Sequence, residues 1–537
     1  MVSVSDVTFD YIVVGGGSAG CVVAGRLSED ASRSVLLVEA GLNDTNPLLH
    51  IPAGIGALKS ENYEYNMKSV PLKHCHNQQI DMRQAKVIGG GGSINAQVFT
   101  RGAPIDWEIW SRDYGCEGWE PEKVAEVFRR WERNDRFSAP HHGTEGPVGV
   151  SDQANPHPLS MAFVRAGQEL GLPYNPDFNG AEQYGVGLYQ RTTWNGLRSS
   201  TSVAYLKGRR RRRNLTCLYQ TPTLKVHIED GRATGVDIVR DGSRVTVKAA
   251  KEVILTAGAY FSPHLLQLSG IGDPQWLKAA GIPLVHELPG VGKNFQDHPR
   301  VDLAYGIRDR VTMDRYQEPW WGGLAGIEYL TFRKGPLTST LAEAGCFDYA
   351  EKGAPSPDQQ VHFVPAMTHE FAKLTGYGVG HGVGIDAYAL RPTSRGTVTT
   401  ISADPRQLPL IDPNFLATDY DVDQMVYGVK LMRELMRQPS MARHVKGEYL
   451  FEYDDLVTKD QYVDFVRRHI VSACHPTGTC SMGTREDSVV TPQLKVRGVE
   501  GLRVADASVM PTVPSSNTQA PTIMVAEMAV DFITSGR

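Results

Sequence analysis

Nowhere in the sequence is there a CxxC pair, an apolar run of about 18 residues or a large excess of one charge, and each absence removes a class of protein. The seven cysteines (Cys21, Cys75, Cys116, Cys217, Cys346, Cys474 and Cys480) are odd in number and show no metal-ligand spacing. Neither a disulfide framework nor a metal site is therefore expected. The lack of a long apolar run leaves no membrane-spanning helix to predict. The balance of 55 basic against 60 acidic residues, a formal net charge of −5, argues against broad electrostatic affinity for nucleic acid. No basic region followed by a cleavable apolar segment opens the chain, so the expected compartment is the cytoplasm. The five arginines from Arg209 to Arg213 read as a solvated loop or helix end.

What the chain has in excess is glycine: 54 in 537 residues, where the usual share is roughly 7%. The glycines are clustered. Phe9-Asp10-Tyr11-Ile12-Val13-Val14 reads as a buried strand that stops at Gly15. Ala19, Val22, Val23 and Leu27 then recur at helical spacing, and residues 34–39 form a second apolar strand. This is a βαβ unit, whose parallel strands need a right-handed crossover. Strand-like pieces mixed with aromatics, such as residues 359–364, fill the stretch from about 300 to 460, and the first texture returns after Arg467. A helix is predicted from about Thr522 to Thr534. The fold class expected is α/β, a Rossmann-like dinucleotide-binding domain interrupted by an α+β domain on a mixed sheet. Its boundaries are expected at 1–155, 196–300 and 466–537 for the first domain, and at 156–195 and 301–465 for the second.

Gly15-Gly16-Gly17-Ser18-Ala19-Gly20 fits GxGxxG between strand and helix. Gly15 permits the tight turn, Gly17 lets backbone approach a pyrophosphate, and Gly20 lets the helix pack on the strand. The pyrophosphate would sit on the helix N-terminus, with Ser18 beside it. Glu39, at the end of the next strand, can accept both ribose hydroxyls of an adenosine and would repel a 2′-phosphate. The fingerprint does not separate NAD from FAD. Two further segments do: Ala85-Lys86-Val87-Ile88-Gly89-Gly90-Gly91-Gly92-Ser93-Ile94-Asn95, and Gly258-Ala259-Tyr260-Phe261-Ser262-Pro263 running on to Gly272.

Both segments resemble the signature patterns of the glucose–methanol–choline (GMC) flavoprotein oxidoreductases. His475-Pro476-Thr477-Gly478-Thr479-Cys480-Ser481-Met482-Gly483 and Val504-Ala505-Asp506-Ala507-Ser508 resemble that family too. Four motifs in order cover nearly the whole chain, and within the family the sequence looks most like the L-sorbose and choline dehydrogenase branch. The resemblance implies FAD on Gly15, Gly17, Ser18 and Gly20, with Glu39 at its ribose. Gly91, Gly92, Asn95 and Ala96 would lie along the flavin. Asp506 and Ala507 would meet the ribityl and diphosphate region, and the backbone near Thr223 the adenine. Where some members carry a tethering histidine this chain has Ile94, so the FAD is expected to be non-covalent.

The resemblance further implies His475 as the base that takes a hydroxyl proton while a hydride leaves for flavin N5, a task suited to a neutral imidazole. Structural roles are read for His469, His362 and His369, the last two on the pocket side. The family pairs its histidine with an asparagine or a second histidine near the C-terminal helix. Here that position counts to Gln519, or through a local shift to Asn517. The activity implied is an FAD-dependent alcohol dehydrogenase acting on a primary alcohol, sugar or polyol, reoxidised by a quinone or other carrier. The alternatives are an oxidase using dioxygen and a hydroxynitrile-lyase-like flavoprotein without redox turnover.

Overall fold

The computed structural model describes residues 7–58, 60–208, 212–367, 380–450 and 453–537. His369 and Arg209 to Arg211, singled out in the sequence, lie outside the described residues. Among those described, two seven-stranded sheets organise the chain. In the first, Leu215–Leu218, Val35–Val38, Thr8–Val14, the C-terminal half of Ser243–Leu255 and Leu502–Val504 lie side by side and pair in parallel. A parallel layer is covered on both faces, which is why its central strands are apolar where they pair: Ile12, Val13, Leu36, Leu37, Ile254 and Leu255 are wholly buried. The N-terminal half of Ser243–Leu255 continues as an antiparallel meander with Arg232–Arg240 and Thr223–Glu229.

Ser18–Leu27 is the crossover helix between the first two strands. The chain enters it through Gly15 at φ +100°, and a Cβ on Gly20 would stand 1.9 Å from the Gly15 carbonyl oxygen, so neither position admits a side chain. Gln519–Thr534 packs beside this helix and starts ahead of the predicted Thr522. Pro521 does not prevent the earlier start, because it lies in the first turn, where a missing N–H leaves no bond unmade. A buried carboxylate joins the two helices: Glu527 accepts from Arg26 Nε at 3.0 Å, the Tyr205 hydroxyl at 2.7 Å and Arg130 Nη2 at 3.3 Å.

The second sheet runs Val445–Tyr449, Pro299–Ile307, Gly382–Ala389, Gln359–Val364, Ala344–Asp348 and Gly185–Leu188, with Val471–Ser472 against the start of Pro299–Ile307. Its strand pairings are antiparallel, and Tyr174 adds a parallel bridge to Val186. Pro158–Glu169 and Asp419–Arg437 cover one face. Period-two alternation sends Val361, Phe363, Ile385 and Ala387 toward those helices and Gln360, His362, Asp386 and Tyr388 to the other face. The sheet edges differ from the boundaries expected at 300 and 466. Pro299–Ile307 begins before the first, and Val471–Ser472 follows the second yet pairs with Pro299 and Arg300. A two-residue strand carries no periodicity by which a sequence could announce it.

Removing one partner of a buried ion pair leaves the other charge uncompensated, at a cost of about 3 kcal/mol. Glu527→Ala should therefore lower the thermal midpoint by several degrees while Glu527→Gln, which keeps an acceptor for Tyr205, loses less. A wild-type melting curve for Glu527→Ala would show that the carboxylate does not clamp the helices.

Candidate active site

The two glycine-rich segments meet. Gly89 donates its N–H to the Gly16 carbonyl at 2.7 Å, and a Cβ on Gly90 would stand 2.8 Å from the Gly17 Cα. Gly91 faces open space, whereas Gly92 and Ser93 are buried. Gln519 ties the segments together. Its Oε1 accepts from Ser18 Oγ at 2.8 Å, and its amide nitrogen lies 2.6 Å from the place a Gly92 Cβ would take. Ser18–Leu27 opens at this junction, and its unpaired N–H groups and dipole favour an anion there.

Glu39 closes one end of the groove. Its Oε2 accepts the Gly16 N–H and its Oε1 the Gly41 N–H, each at 2.7 Å. Burial raises its pKa, and the two backbone donors pull the other way. A carboxylate has lone pairs beyond these two bonds, so Glu39 keeps acceptor capacity for ribose hydroxyls. Thr221 donates its N–H to the Glu39 carbonyl at 2.9 Å, which brings the turn before Thr223 to the same place. The Thr223 hydroxyl is buried without a hydrogen-bond partner among the described residues.

Asp506 has another task. Its Oδ2 accepts from the Gly258 N–H at 2.9 Å and Ser262 Oγ at 2.5 Å, and its Oδ1 from the Ser508 N–H at 2.8 Å and Ser508 Oγ at 2.5 Å. With four donors on it, the side chain joins the end of Leu502–Val504 to the helix Gly258–Leu268. Only the backbone of Asp506 and the half-exposed Ala507 remain to face a ligand. The Asn95 side chain is likewise engaged, accepting from the Gln97 N–H at 3.0 Å and Arg198 Nη1 at 2.8 Å, while Ala96 is exposed.

His475 stands in a line of three polar side chains. Its Nδ1 lies 3.0 Å from Nδ1 of His298, and its Nε2 lies 3.3 Å from Nδ2 of Asn517. The orientation of the Asn517 amide is set by its oxygen, which accepts from Thr100 Oγ1 at 2.9 Å and Gln360 Nε2 at 3.2 Å. Its NH₂ therefore faces the imidazole, and His475 Nε2 is an unprotonated acceptor. The proton of the neutral ring sits on Nδ1 and is donated to His298 Nδ1, which leaves the His298 proton on Nε2. Burial pushes the His475 pKa well below its usual value, and the neighbouring His298, His362 and Arg300 push the same way. Burial takes His298 itself down to about 3. Asp297 accepts the backbone N–H of His475 at 2.8 Å and the Ser472 hydroxyl, and burial lifts its pKa to about 7. That carboxylate fixes the residue without touching its ring.

Gln519, the first choice as partner for His475, does not reach it, and Asn517 stands in its place. The chain turns into the C-terminal helix at Thr518, so residues 517 and 519 face different neighbours. Three further residues belong to the site and were not picked out from the sequence. Asp297 and His298 sit together ahead of Pro299, an acid–imidazole pair that could have been flagged. Arg198 is fully buried and donates through Nη1 to the carbonyls of Gly92 at 3.3 Å and Asn95 at 2.8 Å. Desolvation, with no acidic neighbour to offset it, lowers its pKa to about 9. No periodicity or motif announced it.

The comparisons identify the family. Residues 9–300 match the N-terminal, and residues 392–526 the C-terminal, family model of the GMC oxidoreductases. The chain is 41% identical over 530 residues to an alcohol dehydrogenase [acceptor] of Pseudomonas putida, covering 98% of this chain and 95% of that one. It is 38% identical to the mitochondrial choline dehydrogenase of Homo sapiens, over 98% of this chain and 89% of the other. Among solved structures, a formate oxidase superposes with a TM-score of 0.91 at 27% identity, over 100% of this chain and 99% of that one. Pyridoxine 4-oxidase of Mesorbium loti superposes with a TM-score of 0.88, also at 27% identity, over 98% and 99%. On sequence, fold and the two glycine segments together, the chain belongs to the GMC oxidoreductase family and is a flavoprotein oxidoreductase.

Proposed function

We propose that this protein is an FAD-dependent dehydrogenase of neutral primary alcohols or sugar-like polyols, with His475 as the base. The observation that carries the reading is the contact of His475 Nε2 with the Asn517 amide nitrogen at 3.3 Å, two residues from the Gln519 that joins both glycine segments. The groove fits a non-covalent FAD. Gly15, Gly17, Ser18 and Gly20 would take its pyrophosphate, Glu39 its ribose, and Gly91, Gly92 and Ala96 would lie along the flavin, where Ile94 offers no tether. Bound there, FAD supplies the hydride acceptor, flavin N5.

The residues of the chain do the rest. A hydroxyl placed between His475 and Asn517 donates to Nε2 and accepts from the Asn517 NH₂, so the amide holds the oxygen while the imidazole draws off its proton. His298 then accepts the hydrogen bond from Nδ1–H, which strengthens as the ring gains charge. The pocket wall favours a neutral substrate. Asp302 is paired with Arg300 at 2.9 Å, and the guanidinium opposes positive charge beside His475. Acceptor-linked dehydrogenase is the activity in the name of the 41% identical relative; relatives at 38% identity are named oxygen-dependent choline dehydrogenases, and the pyridoxine 4-oxidase and formate oxidase neighbours are at 27% identity.

Positioned bases contribute about 10²–10⁴ in rate, roughly 3–5 kcal/mol of barrier. In anaerobic stopped-flow with a good substrate, His475→Ala should slow flavin reduction by about that factor with the bound-FAD spectrum unchanged. Asn517→Ala should lose more rate than Gln519→Ala, whose larger effect should be weaker FAD binding. The reduced protein should be reoxidised faster by a soluble quinone than by dioxygen. Reduction of His475→Ala at the wild-type rate would overturn the mechanism. The pH profile gives a second check. A base with a depressed pKa is already unprotonated at its ordinary value of about 6.5, so the reduction rate should be flat from there upward through neutrality and fall only at lower pH. A limb centred at or above neutrality would place the titrating base elsewhere.

A further inference from the structure

The helix Pro319–Phe332 is built inside out. Ala325 and Tyr329 face the protein, with Gly322 and Gly326 beside them, whereas Trp320, Leu324, Ile327, Leu330 and Phe332 point outward. Trp320 is 72% and Leu330 71% exposed. A helix on a protein surface ordinarily shows water its polar side and buries its bulky apolar one. Single exposed apolar side chains need no explanation, but five on one short helix form a patch. Cations rim it. Arg333 and Lys334 are exposed at its C-terminal end, and Arg315 lies 3.8 Å over the Trp321 ring at the other. Of the acids nearby, Glu318 is paired with Arg310 at 3.4 Å, and the Glu328 carboxylate is folded back toward Gly335.

We propose that this face docks on an anionic lipid bilayer, the helix lying in the plane of the headgroups with its apolar side chains in the acyl boundary. Its 14 residues make about 21 Å of helix, too short to cross roughly 30 Å of hydrocarbon but long enough to lie along its edge. A footprint of about 21 by 10 Å falls far short of the roughly 800 Å² per partner that a stable protein interface buries. A bilayer demands no such area from one element. Arginine and lysine at the rim meet lipid phosphates while their stems stay against apolar surface, and tryptophan suits the boundary. Met313, just ahead of the helix, packs in the same cluster as Tyr388 and Ala473, neighbours of His475. A docked bilayer would thus bring an apolar alcohol or a membrane-dissolved electron carrier close to the pocket; that consequence rests on the redox reading, and the docking does not.

Sedimentation of the holoenzyme with vesicles of equimolar phosphatidylcholine and phosphatidylglycerol tests it. The protein should pellet with these vesicles, and less with phosphatidylcholine alone or at raised salt. Ile327→Glu combined with Leu330→Glu should weaken partitioning by at least about tenfold, with the melting curve and the activity toward a soluble acceptor unchanged. Protein left in the supernatant at every lipid concentration, or a double variant that pellets like wild type, overturns the proposal. So does a dimer that the double variant dissolves without any vesicle binding, which would assign the face to a second copy of the chain.

Discussion

The His475 ring is buried between His298 and Asn517, and the chemistry of the site depends on that placement. Among the described residues no carboxylate touches either ring nitrogen. In a Ser-His-Asp triad a buried acid stabilises the imidazolium; here the supports are a neutral imidazole and a neutral amide, so the charged ring is disfavoured. Each unit of pKa depression is about 1.4 kcal/mol against protonation. In the proposed reaction, the consequence is a base that is always available and never strong. Such a base does not ionise an alcohol in advance. It suits a reaction in which the proton leaves as the hydride does, so that no free alkoxide accumulates.

The same accounting explains why so much of the surrounding structure is polar and buried. In the proposed role, Asn517 can orient a substrate oxygen only while Thr100 and Gln360 hold its carbonyl oxygen, and His475 can keep its backbone in place only while Asp297 accepts its N–H. Arg198 braces the glycine-rich segment from behind through the carbonyls of Gly92 and Asn95. A buried, unpaired guanidinium is expensive, so its retention argues that the shape of this segment matters more than the stability lost to desolvation. Glycine makes the segment approachable, and the arginine makes it rigid.

Much of the fold was legible in the sequence because it obeys short-range rules. The central parallel strands are apolar along residues 11–14, 35–38 and 253–255, and the glycine fingerprint sits where a strand ends and a helix begins. Gln360 and His362 alternate with Val361 and Phe363, which separates the two faces of the second sheet once the strand is known. Of the candidate site, His475 was singled out through its motif, and His298 and Arg198, outside any motif, were not. His298 is 177 residues from His475 along the chain and Arg198 is 103 from Asn95, so neither pairing leaves a local trace. The Asp506 contacts were not legible from its motif: two donors come from Gly258 and Ser262, far away along the chain, and two from Ser508 within the motif itself. The exchange of Gln519 for Asn517 turned on a single bend at Thr518, which residue counting passes over.

The protonation pattern of the His475 ring is the most direct test of the account. Nitrogen-15 spectra of the protein with labelled histidine, with His475→Gln used for assignment, report which nitrogen carries the proton near neutral pH. The account predicts a neutral ring with its proton on Nδ1 and an unprotonated Nε2 facing Asn517. A proton on Nε2, or on both nitrogens, would contradict it.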